Sequence, residues 1–240
     1  MQVVLLRVGI DTGSGGIHGP LFSDGSFEFI PIPDNFGCKG VDKRTYGNTS
    51  GRGGRKLVDY FPESRRENVF DQSMHFDPEF ETFTYGDPTR PKASLRRLSE
   101  GSLLVFYAGL KGYNFDCPPA LYLVGFFEVE RAGLAIAFSH SELAGMFQHN
   151  FHVMHSDVFE NQKNRLVLVK GNANSRLLKK AVKISAVGTD RNGRPLHRLA
   201  PEMQKVFGNF HGNTSIQRSP PRWVAPEFTR SAARFISALR

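Results

Sequence analysis

Two cysteines in 240 residues are too few for a disulfide framework or a thiolate metal site. Cys38 and Cys117 have no C-x-x-C partner and no ligand spacing, so they are read as free thiols of a reducing cytoplasm, with a disulfide between them as the alternative. No apolar run approaches the roughly 20 residues that cross a bilayer, so no membrane partner is expected. MQVVLLRVGIDTG has no basic start and its apolar run is broken by Arg7, so it reads as a first strand rather than a leader. G-x-G-x-x-G, Gly-Lys-Ser/Thr, H-E-x-x-H and calcium-loop spacings are all missing, so no cofactor and no metal are assigned. Internal repeats and low-complexity linkers are missing too. Acids are scarce towards the end of the chain: residues 163–240 hold 16 Lys+Arg against 3 acids, while residues 1–162 hold 15 against 20. That asymmetry, on a chain of net charge +8, points to an anionic partner: DNA, RNA or a nucleotide.

What is present centres on Gly101–Ala132. Leu103–Leu110 and Ala120–Val129 are near-continuous apolar runs flanking a turn-rich loop, and they read as neighbouring strands covered on both faces. The fold class is α+β, as one domain over 1–240 with its core centred on 101–187. Oligomeric state is not legible.

Val3–Val8, a strand, runs into Gly9-Ile10-Asp11-Thr12-Gly13-Ser14-Gly15-Gly16. This is either a plain turn or a loop that closes on a ligand with Asp11 and Ser14 pointing inward. Asp24-Gly25 makes a hairpin turn. Residues 34–66 mix glycines with basic residues, and Arg44 beside Tyr46 pairs a phosphate-holding cation with a stacking ring; a solvated loop is the alternative. Lys56–Phe61 reads as a short helix stopped by Pro62. Asp77–Pro88 combines Tyr85 with several acids and reads as a solvated acidic strand edge rather than a metal site. Pro91–Leu98 is a basic helix. Ser139 or Ser141 caps a helix with Glu142 in its first turn. His149, His152 and His155 follow, and the packing residues between them argue against a ligand set; one acid/base histidine is a separate reading. Arg165–Gly171 is a buried strand. Lys170 at its end and Ser175, as N-cap of a helix over Arg176–Ala181, form a candidate anion pocket. A strand follows around Ile184, then a helix over Pro201–Phe207. Gln217, Arg218, Arg222 and Trp223 lie in a proline-stiffened segment, with Trp223 either presented or anchoring the tail. An amphipathic helix over Phe228–Leu239 closes the chain.

GSLLVFYAGL and ALYLVGFFEVERA resemble the core hairpin of the PUA-like β-barrel superfamily, including its EVE and YTH members. More broadly, MQVVLLRVGIDTGSGGIHGPLF, RTYGNTSGRGGRKLVDYFP, DPEFETFTYGDP and SIQRSPPRWV resemble the third of the nucleotide modification associated domain families. These resemblances imply a PUA-like mixed barrel with helical and loop elaborations, and a link to modified nucleotides in DNA or RNA. They carry over no catalytic residue. The leading expectation is a binder that holds a base among Tyr46, Tyr85, Tyr107 and Trp223. Arg44, Lys170, Arg218 and Arg222 would sit on phosphates, and Asp11, Ser14, Ser175 and Gln217 on base edges. The rival is an enzyme that modifies or hydrolyses a nucleotide, with Asp11, Asp87, Asp116 or Cys117 as acid/base or nucleophile. An adaptor with an incidental basic face is the third reading.

Overall fold

The computed structural model describes residues 1–37, 43–190, 192–217 and 220–239. Its strands are β1 (Val3–Arg7), β2 (Gly19–Leu21), β3 (Ile32–Pro33), β4 (Met74–His75), β5 (Thr84–Asp87), β6 (Leu103–Gly112), β7 (Ala120–Leu134), β8 (Val167–Gly171), β9 (Arg176–Lys183), β10 (Ser185–Thr189), β11 (Pro195–Leu199) and β12 (Arg222–Trp223). The α-helices are α1 (Glu63–Phe70), α2 (His140–Met146), α3 (Phe151–Met154), α4 (Ser156–Gln162), α5 (Pro201–Phe207) and α6 (Pro226–Ser237). No helix among the described residues is long and apolar enough to cross a membrane.

The apolar runs form the expected antiparallel pair β6–β7, and every residue from Leu103 to Leu110 is buried. β1 adds to β6 in parallel, and β12 adds to β1 antiparallel. β7 pairs with β9 near its start and with β8 near its end, its register shifting between Val129 and Arg131. β8 then carries β5 at the edge. The class is therefore α+β with one large mixed sheet. Closure is not seen: the path β12-β1-β6-β7-β8-β5 is open, with β2 and β9 as branches, so the described strands form no closed barrel.

Two local expectations are corrected. Arg176–Lys183 is a strand, because β7 offers it backbone partners that outweigh the helix propensity of its Leu, Lys and Ala residues. Ser175 accordingly caps no helix; its hydroxyl accepts the Glu128 N–H at 3.1 Å. The Asp77–Asp87 segment does end in an edge strand, but Asp77 and Glu79 point inward, with Glu79 3% exposed. Asp77 accepts the Gly86 N–H on the edge strand, and Glu79 accepts the Thr82 N–H in the turn before it.

Three apolar clusters build the core. The largest lies on the sheet. A second, of Ile10, Ile30, Tyr46, Leu57, Val58, Phe61, Val69 and Met74, packs the described part of the glycine-rich basic segment against α1. That stretch is thus a packed layer with its expected helical turn at Leu57–Tyr60. A third cluster, Ala135, Phe138, Phe147, Leu166 and Leu168, lies beneath α2, whose Ser139–Glu142 capping box matches the predicted start.

Gly125 in β7 is closely packed: a Cβ there would stand 2.6 Å from Phe80 Cε1 and 2.8 Å from the Arg176 carbonyl oxygen. Gly125→Ala should lower the unfolding free energy by about 1–3 kcal/mol through overpacking, read as a reduced urea midpoint with unchanged slope.

Candidate functional site

The loop after β1, the strand pair β3–β4, the edge strand β5 and helix α3 enclose a cleft of about 390 Å³. Its walls include Arg7, Asp11, Ser14, Phe36, His75, Asp77, Tyr85, Asp87, Lys92 and His152.

Asp77 is the hub. Its Oδ1 accepts the Gly86 N–H at 2.9 Å and the Asn150 amide at 3.2 Å. Its Oδ2 faces His75 Nε2 at 3.1 Å and His152 Nε2 at 3.2 Å. Each contact has a local cause. Asn150 is the N-cap of α3: its oxygen accepts the His152 N–H at 3.1 Å, which turns its amide nitrogen towards Asp77. Gly86 allows the close approach, since a Cβ there would lie 2.8 Å from His152 Cδ2. Gln162 on α4 faces the other ring nitrogen of His152, with Nδ1 and Oε1 2.7 Å apart. The His75 ring stacks on Phe151 at a centroid distance of 3.9 Å. Burial disfavours charge on both Asp77 and His152. Hydrogen bonds from the histidines nevertheless hold the Asp77 pKa below its usual value, and the carboxylate raises that of His152.

Two further ion pairs flank the hub. Asp87 Oδ2 receives Lys92 Nζ at 3.3 Å and the Tyr85 hydroxyl at 3.1 Å. Arg7 pairs with Asp11 at 2.9 Å and also donates to the Gln217 carbonyl. Asp11 Oδ1 accepts the N–H groups of Gly13 and Ser14, which folds the glycine-rich loop on itself.

Residues 2–238 match the family model for nucleotide modification associated domain 3. The chain belongs to that family. No curated protein and no solved structure matches it.

Within this family member, the cleft gathers Asp11, Ser14 and Tyr85 among the expected site residues, together with Asp87. The other predicted residues scatter. Tyr46 and Tyr107 are wholly buried, their hydroxyls donating to Pro31 O and Ile216 O, so neither offers a face to a base. Burial pushes the Tyr107 phenol up to about 12. Tyr85 lines the cleft but is only 4% exposed. Arg44 lies over the Phe76 ring at 3.8 Å and lines a separate hollow of about 380 Å³. Lys170 donates to Thr82 O and, with His149, lines another. Gln217 and Arg222 stand behind Arg7 and Tyr107. Trp223 anchors the tail, its indole donating to Ser94 Oγ at 3.3 Å. Asp116 is exposed and Cys117 contacts Tyr122 at 3.7 Å, in the β6–β7 loop and not in the cleft. Arg218 and Cys38 lie outside the described residues.

Of the three histidines only His152 enters the cleft; His155 is held by Phe151 O, and His149 is exposed. Sequence reasoning does not single out His75, Phe36, Lys92, Asn150 or Gln162. The one sequence signal for the hub is His75-Phe76-Asp77, two polar groups at strand spacing in an otherwise aromatic stretch.

Behind Arg7, His18 and His197 both have lowered pKa values, each from burial first and the Arg7 charge second. A base with a depressed folded-state pKa leaves the unfolded chain binding more protons, so stability is lost as pH falls through about 6.5. Replacing both with Gln should flatten that part of the stability–pH curve, as measured by denaturant titration across the acid range.

Proposed function

We propose that the protein chemically modifies, or hydrolyses, a nucleotide or nucleic-acid base seated in the cleft between the glycine-rich loop and β5. The observation that carries this reading is the convergence of Asp77, His75, His152, Asp87 and Lys92 on one cavity. These are groups that move protons or hold cations. A reader built on stacking rings has less support, because two of its expected aromatics are core residues. A volume of about 390 Å³ suits one nucleoside-sized guest. Phe36, 48% exposed at the rim and 6.0 Å from the His75 ring, supplies a face on which a base can stack. A base taken from a duplex would reach this cleft by flipping out, at a cost of a few kcal/mol.

A second hollow, of about 480 Å³, adjoins the cleft through Pro88 and Thr89 and is lined by Arg90, Arg96 and Arg165. The three arginines are exposed, and none has an ion-pair partner among the described residues. They supply a track for phosphates and favour a polynucleotide substrate over a free nucleotide.

Incubation of the protein with oligonucleotides and mononucleotides, with divalent ions supplied, should yield a product of altered mass, either a modified base or a hydrolysed nucleotide. Unchanged masses across a broad panel would overturn the reading. Phe36→Ala should weaken substrate affinity by about 1–3 kcal/mol, measured by fluorescence titration. Arg90→Ala, Arg96→Ala and Arg165→Ala together should weaken binding to all sequences alike and reduce the salt slope by about 0.7 for each phosphate no longer neutralised.

A further inference from the structure

We propose that His75, Asp77 and His152 bind one divalent transition-metal ion, with the ion's remaining positions turned towards the cleft. The site stands on geometry that does not depend on the base-modifying reading. Their three donor atoms lie within 4.8 Å of one another. The shared carboxylate oxygen stands 3.1 and 3.2 Å from the two histidine nitrogens. A tetrahedral ion with bonds of about 2.0–2.2 Å holds its donors about 3.3–3.6 Å apart, so small side-chain rotations complete the set. Two imidazoles and one carboxylate form the donor set of open facial sites for first-row ions, and are too rich in nitrogen for magnesium or calcium.

The surroundings are arranged to present these ligands. Gln162 Oε1, 2.7 Å from His152 Nδ1, takes that ring's hydrogen in the neutral form. The lone pair of Nε2 then points at the Asp77 carboxylate 3.2 Å away, an arrangement that a proton or a metal cation must bridge. The carboxylate's other oxygen is already held by Gly86 and Asn150, so Oδ2 alone is presented. Outer partners of this kind orient metal ligands. Charge points the same way. Arg7 and Lys92 are the fixed cations of the cleft, against Asp11, Asp77 and Asp87. These fixed charges sum to −1, which opposes a phosphate-bearing guest, and a divalent ion reverses the sign.

The test uses the full chain after chelator treatment, titrated with Co(II) in the absence of nucleotide and followed by calorimetry and visible d–d absorption. One Co(II) per chain is expected, with a raised Tm in the presence of the ion. His75→Gln and His152→Gln should each abolish the absorption band. Gln162→Leu should weaken affinity about 10–100-fold, as loss of an outer partner does. His149→Gln, outside the cluster, should bind as the parent does. His75 lies at the cleft wall, so His75→Gln with a native circular dichroism spectrum decides the matter even where His152→Gln fails to fold. No stoichiometric Co(II), or binding that survives His75→Gln, would overturn the site. A product of altered mass made by protein that binds no Co(II) counts against the metal alone. Stoichiometric Co(II) with unchanged masses supports the metal and counts against the base-modifying reading alone.

Discussion

Strand β7 is the constraint on which the rest of the molecule depends. Fifteen residues long, it pairs with three other strands, β6, β9 and β8. Its first half is buried between them, which explains an apolar run without alternation. Its ladder with β6 ends at Glu128, and its ladder with β8 runs from Val129 to Leu134 with a register shift between Val129 and Arg131. β8 in turn holds β5, and β5 carries Tyr85, Gly86 and Asp87 into the cleft. On the other side of the hairpin, parallel pairing with β6 sets Arg7 beside Tyr107 and aims the glycine-rich loop at the same place. Both walls therefore take their positions from one pair of strands, although they are some eighty residues apart in the chain.

The cleft lies where the apolar clusters meet, and Asp77 ties them together. Met74 belongs to the second cluster and precedes His75. Tyr85 belongs to the sheet cluster and precedes Gly86. Phe147, in the third, leads through Asn150 to His152. Each cluster thus delivers a donor to one carboxylate with a side-chain exposure of 5%. A buried charge with any of these donors missing would carry a large desolvation cost, so the carboxylate's stability and the relative placement of the three cores are coupled.

How much of this is legible in the sequence depends on the range of the interaction concerned. The β6–β7 pair, the capped α2 and the α5 and α6 helices follow from composition and end signals within about fifteen residues, and they appear as expected. The Arg176–Lys183 strand is not legible, because its partner edge on β7 lies fifty residues back and local propensity speaks for a helix. Tyr46 and Tyr107 illustrate the same limit at the site. An aromatic beside an arginine reads identically whether its ring meets a base or fills a core, and only burial separates the two. Asp11, Ser14 and Tyr85 can be found because glycines and clustered acids mark a loop or an edge. The hub stays hidden because His75 and His152 are seventy-seven residues apart. The run of His149, His152 and His155 puts one ring in the cleft and the other two elsewhere.

In the proposed reading, the uneven charge of the chain acquires a division of roles. The cations nearest the hub are already engaged: Arg7 by Asp11 and the Gln217 carbonyl, Lys92 by Asp87. Neither can take up a phosphate without leaving a half-buried carboxylate unpaired, which disfavours a phosphate deep in the cleft. Arg90, Arg96 and Arg165, by contrast, are exposed around the neighbouring hollow, where phosphate contact displaces only water and counterions. A nucleotide that follows these preferences lays its backbone over Pro88–Thr89 and turns its base inward, towards Asp77 and its histidines. The acidic cleft and the basic hollow are then complementary halves of one site, the first suited to a base and a cation and the second to the strand that carries the base.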